Sequence, residues 1–112
     1  MIDFRLLESL VYIKKVPVDA AARAAFKKWE TSNGKTWIPS RDEKQSRRLT
    51  LNYIRHELTN YDELLNAIDK KFPREAPQIK AEARRITFKK IAALYPSLIK
   101  ECTAQLNNVW AA

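Results

Sequence analysis

Apolar residues recur along this chain at helical spacing, and the pattern divides it into six segments. Phe4, Leu7, Leu10 and Val11 share one face of a helix predicted over residues 4–15, which Pro17 ends. Ala22, Ala25, Phe26 and Trp29 do the same for a second helix over 20–30, with Asp19 placed to cap it. Thr31 to Pro39 reads as a connector: Asn33-Gly34 is a turn signal, and Pro39 holds Ile38 extended. The apolar pair Trp37-Ile38 is expected to pack back over the core, with a surface anchor for a partner as the alternative. Ser40 and Glu43 have capping-box spacing and open a third helix over 41–58, whose apolar line runs Leu51, Ile54, Leu58 and on to Tyr61. A fourth helix over 60–71 packs through Tyr61, Leu64, Leu65 and Ile68. Past Phe72–Pro77, a long fifth over 77–95 buries Ile79, Ala83, Ile86, Ile91 and Leu94. Pro96 breaks it, and Ser97 caps a sixth over 98–110 with Ile99, Cys102, Leu106, Val109 and Trp110 turned inward. No stretch shows the alternation of a strand, and one glycine leaves little for a turn-rich β fold. The pattern predicts a single domain over 1–112, an all-α compact bundle of five or six short helices.

Composition narrows the class. Hydrophobic residues make up 46% and charged residues 30%, the balance of a folded chain. The single cysteine, Cys102, allows no internal disulfide and no cysteine-based zinc site, and is expected to be a small core residue. Met1–Arg5 lacks a basic-then-apolar leader, and no apolar run approaches the roughly 18 residues of a membrane span. A cytoplasmic location without a membrane partner is the expectation.

Charge points to a partner. There are 21 basic and 13 acidic residues, a formal net charge of +8. Residues 35–55 hold six basic against two acidic side chains, and residues 70–100 hold nine against two. Between them, residues 56–69 hold four acids, Glu57, Asp62, Glu63 and Asp69, and no lysine or arginine. The surplus thus belongs to the third and fifth helices, where Lys44, Arg47, Arg48, Arg55, Lys80, Arg84, Arg85 and Lys89 are the candidate nucleic-acid contacts. The function expected is binding of DNA or RNA, mainly through non-specific phosphate contacts. One alternative is a protein–protein interaction or adaptor module, homodimeric in one version, using Trp37, Ile38 and Trp110. Another is a small metal-dependent nuclease around His56, Asp62 and Glu63. No cofactor or metal is predicted, because neither a metal-ligand motif nor a nucleophile at a recognisable spacing accompanies the lone histidine.

The segment Tyr53–Leu65 mixes apolar, aromatic and ionisable groups most densely. Thr59 is placed to accept an orphan N–H of the fourth helix, with Asp62 in its positive first turn. His56, ending the third helix, is expected to bond a terminal carbonyl or reach Asp62, and Arg55 to pair with Glu63 or Asp62. Arg55, His56, Thr59, Tyr61 and Asp62 would then lock two helices at a set angle. The run Ile54-Arg-His-Glu-Leu-Thr-Asn-Tyr-Asp-Glu-Leu-Leu65, followed by Glu82-Ala-Arg-Arg85 and an apolar helix ending near Leu94, resembles a family of small bacterial and fungal domains of unknown function. The resemblance covers about residues 50–95. It implies that Arg55, His56, Thr59, Tyr61, Asp62, Arg84 and Arg85 are signature positions, and it implies no particular reaction.

Overall fold

A computed structural model describes residues 4–107. Six helices follow one another: α1 Phe4–Leu10, α2 Val18–Asn33, α3 Glu43–Tyr53, α4 Tyr61–Lys71, α5 Ala76–Leu94 and α6 Ile99–Leu106. Single 3₁₀ turns at Pro39–Arg41 and Pro96–Leu98 precede α3 and α6, and α3 continues without a break into a π turn, Ile54–Leu58. The protein is an all-α bundle of short helices. No helix among the described residues is long and apolar enough to cross a membrane.

The apolar side chains bury into two clusters, and α5 is the spine that joins them. Its first half contributes Ala76, Ile79, Ala83 and Ile86 to a cluster with Leu7 and Val11 near the N-terminus and Leu64 and Ile68 of α4. Its second half sends Phe88 and Ile91 into a second cluster with Ala21, Leu51, Ile54, Leu58, Leu98 and Cys102. Tyr95 closes that second cluster: its ring is buried, and its hydroxyl donates to the Val16 carbonyl (2.7 Å) while receiving the Val16 N–H (3.4 Å). Two cores end to end make the molecule 47 Å long and 25–27 Å across.

Several boundaries fall away from where periodicity alone puts them. The first helix stops at Leu10 instead of residue 15, because Asn60 reaches across 50 residues to take its exit. Asn60 Oδ1 accepts the Tyr12 N–H (2.9 Å) and its amide donates to the Leu10 carbonyl (2.7 Å). Ile13 then bridges to Thr59, and Lys14 N–H donates to the Leu58 carbonyl (2.7 Å). Leu10 is consequently exposed and not a core residue. The second helix runs on to Asn33; Gly34, at φ 67°, is its left-handed C-cap, with its N–H on the Glu30 carbonyl (2.8 Å). Pro17, not Asp19, precedes its first residue, and no side chain caps it. Ser40 lies in the 3₁₀ turn, and the cap of α3 is Asp42, whose Oδ1 accepts the Gln45 N–H (2.9 Å). Ser97 likewise lies in a 3₁₀ turn and makes no cap, and Ile99 faces solvent. Val109 and Trp110 lie outside the described residues.

Candidate functional site at the arginine corner

The joint between α3 and α4 is built on the π turn. Widening the helix at Ile54–Leu58 detaches the last carbonyls from the regular ladder, and other groups satisfy them. The Thr59 hydroxyl donates to the Arg55 carbonyl, and the same oxygen accepts the Tyr61 N–H (3.2 Å) that opens α4. The expected role of Thr59 at the start of the fourth helix is therefore met one residue ahead of its N-cap, Asn60.

On this joint the ionisable side chains form a chain of hydrogen bonds. Arg55 NH2 donates to His56 Nε2 (2.8 Å), and His56 Nδ1 meets Asp62 Oδ2 (2.8 Å). A guanidinium only donates, so Nε2 is the acceptor and the ring proton sits on Nδ1, directed at the carboxylate. Arg55 NH1 donates to Gln105 Oε1 (2.8 Å), and Gln105 Nε2 passes the chain to Asn52 Oδ1 (2.8 Å). Arg84, from α5, donates to the backbone carbonyl of the same Gln105. The expected pairing of Arg55 with Glu63 or Asp62 is thus replaced by neutral acceptors, with Asp62 reached through the imidazole.

The electrostatics of Arg55 are unusual for a surface arginine. Its guanidinium lies 5.8 Å from the ring centre of buried Phe88 and 5.9 Å from that of Tyr61, and its Nε is buried without a hydrogen-bond partner. Burial holds its pKa below the ordinary arginine value; the positive charge of Arg84 acts in the same direction, while Tyr61 and Asp62 oppose it. Arg84 lies 5.8 Å from the same Phe88 ring. Burial also pushes the Tyr61 hydroxyl above its ordinary value, against the pull of Arg84 and Arg55. Two cations therefore share one aromatic floor, and neither hydrogen bond that Arg55 makes is to a carboxylate.

The remaining predicted contacts divide. Arg47 bonds Glu101, a buried carboxylate on α6 whose second oxygen has no hydrogen-bond partner. Arg48 donates to Gln45 (3.2 Å) within α3. Lys80 pairs with Asp69 (3.0 Å) and Arg85 with Glu82, both at the surface. Lys44 and Lys89 are exposed, with no ion-pair partner among the described residues. The structure brings Arg55, His56, Thr59, Tyr61, Asp62 and Arg84 together and leaves Arg85 apart. Sequence reasoning missed Gln105, Asn52 and Glu101. Gln105 lies 50 residues from Arg55, and no local spacing announces it.

Features of the alternative readings are also placed. Trp37 is taken up internally by Phe26, Trp29 and Ser46, while Ile38 stays exposed. Both nitrogens of His56 are engaged within the protein. Among the described residues no three His, Cys, Asp or Glu side chains are grouped to hold a metal ion. Comparison with protein-family models, with curated proteins and with solved structures finds no match to this chain.

Proposed function

We propose that the protein binds nucleic acid through phosphate contacts distributed over the two basic segments that meet at α6. The observation that carries this reading is the convergence of both basic segments on that helix. Arg47 and Arg55 of the α3 segment reach Glu101 and Gln105, and Arg84 of α5 reaches the same Gln105. Cations far apart in sequence thereby line one helix of a chain whose net charge is +8. Lys44, three residues before Arg47 on α3, and Lys89, which lines a cleft with Ile99 and Thr103 of α6, add exposed ammonium groups to the two basic segments. The Arg85–Glu82 and Lys80–Asp69 pairs are solvent-exposed, and such pairs contribute only about 0–1 kcal/mol, so a phosphate oxygen competes with them readily. Arginine forks supply bidentate phosphate bonds, and the lysines act as point charges.

Fluorescence anisotropy with labelled single-stranded and duplex oligonucleotides, repeated at several salt concentrations, tests the reading. The expected result is affinity falling linearly on a log–log plot, with a slope of roughly −0.7 to −0.9 per phosphate contacted. Absence of binding at low salt, or binding indifferent to salt, would sink it.

A further inference from the structure

A second feature lies beside the arginine corner, in the cleft of about 200 Å³ between α2 and α3. One wall is Trp29 of α2 and the other is Tyr53 of α3, both half-buried, with Ala25 behind them. Of the tyrosines at helix joints, Tyr61 and Tyr95 are buried in the cores, and the Tyr95 hydroxyl is spent on Val16. Tyr53 instead lines an open cleft, and its hydroxyl has no hydrogen-bond partner among the described residues. Two carboxamides edge the space with complementary groups to spare. Asn33 uses its amide on the Trp29 carbonyl (2.8 Å) and Asn52 its oxygen on Gln105 (2.8 Å); among the described residues the Asn33 oxygen and the Asn52 amide have no partner. Lys28 and His56 complete the rim, and Lys28 is held by Glu57 (2.7 Å) at the surface.

We propose that this cleft takes one unstacked nucleobase of a single-stranded nucleic acid, stacked against Tyr53 and Trp29 and edged by Asn33 and Asn52. The proposal rests on the phosphate-binding reading above and adds the substrate class to it. An aliphatic side chain would leave the spare donor and acceptor unpaired, whereas every base carries a π face together with donors and acceptors on its edge. Asn52 also links the cleft to Gln105, so a base seated there lies next to the cations that hold the strand. A base within a duplex is already stacked and paired, which sets the preference for single strands.

The test uses labelled twelve-nucleotide strands of DNA and of RNA, the DNA duplex, and a DNA strand with the same phosphates but abasic sites. Wild-type protein is expected to bind at least one natural single strand about tenfold more tightly than the abasic strand or the duplex. Tyr53→Ala removes that advantage and leaves abasic binding unchanged, while Tyr53→Phe keeps most of it. Ser32→Phe, at an exposed residue lining the same cleft, fills the space without touching either core and gives the same loss, so the idea stays testable if Tyr53→Ala fails to fold. Equal binding of natural and abasic strands, or Ser32→Phe behaving as wild type, overturns the base pocket while leaving the phosphate reading intact. No binding of any strand at low salt overturns both.

Discussion

Between α2 and α3 the chain turns on Gly34 and is clasped by rings; between α3 and α4 it turns on a π turn and is held by charged side chains. At the first joint Trp37 lies edge-on to Trp29 (4.8 Å between ring centres) and stacked near Phe26 (6.1 Å). Its two N–H groups are answered by Glu30 (2.9 Å) and by the buried Ser46 hydroxyl (3.0 Å). At the second joint the same task falls to Arg55, His56, Asp62 and Gln105. Apolar packing would serve the second joint at least as well, because burying a guanidinium carries a desolvation cost that neutral acceptors repay only partly. The contrast teaches where to look for function. On the proposed reading, the partly desolvated arginine kept at a joint where rings would serve is there for a polyanion.

The largest expected effect breaks the ring clasp. Trp37→Ala removes two aromatic contacts and the indole hydrogen bond to Ser46, leaving the backbone N–H on Glu30, and chemical denaturation is expected to show a loss of about 2–4 kcal/mol. A loss below about 1 kcal/mol would show that the clasp is dispensable. At the other joint, Arg55→Ala is expected to cost about 1–3 kcal/mol, through lost stem packing and a bereft Gln105. Arg55→Met retains the stem, discards the desolvated charge, and should cost under about 1 kcal/mol. If Arg55→Met is as stable as wild type yet binds nucleic acid more weakly, the guanidinium serves the ligand; equal binding would make it a brace only.

Alkaline pH acts on the core around the arginine corner and spares the ring clasp. Burial pushes the Cys102 thiol up from 9.0 to about 12, with nearby Glu101 adding to the effect, and raises the Tyr61 hydroxyl above 10.0. A group whose folded pKa is raised contributes stability that is complete below its unfolded pKa and is lost as pH climbs towards the folded one. The denaturation midpoint should therefore fall progressively above pH 9, and the fall should be shallower in Cys102→Ala and in Tyr61→Phe, each compared with its own value at neutral pH. The smallest effect belongs to Asp62→Asn. This exposed side chain keeps its shape and loses its charge, so the change in stability should stay under about 1 kcal/mol. A larger loss would make the imidazole–carboxylate contact a principal strut of the joint.

The two joints also differ in how far the sequence announces them. Asn33-Gly34 is visible because a positive φ needs glycine, although it caps a helix where a simple turn was expected. The packing of Trp37 follows from its apolar surface, but it lands on the α2 rings Phe26 and Trp29 and not on either core cluster, and Ile38 of the expected pair stays exposed. At the second joint the local half was readable: His56 reaching Asp62, and Thr59 meeting the first N–H of α4, follow from spacing and capping chemistry. The π turn was not, since residues 43–58 satisfy helical periodicity throughout and only the outside donors from Lys14 and Thr59 favour the wider turn. Nor was Gln105, which reads as an ordinary polar residue of a terminal helix. The early end of α1 was hidden for a similar reason, because Asn60 overrides local propensity from the far side of the fold.

Of the cations proposed to bind a phosphate backbone, Lys44 and Lys89 are the pair that the fold does not need, being exposed and without an ion-pair partner among the described residues. The measurement is the salt dependence of oligonucleotide binding by Lys44→Ala/Lys89→Ala beside wild type. If both lysines contact phosphate, affinity at low salt drops and the log–log slope becomes shallower by roughly 1.4–1.8, two contacts' worth, with the denaturation midpoint unmoved. An unchanged slope and affinity in the folded double variant would contradict the account.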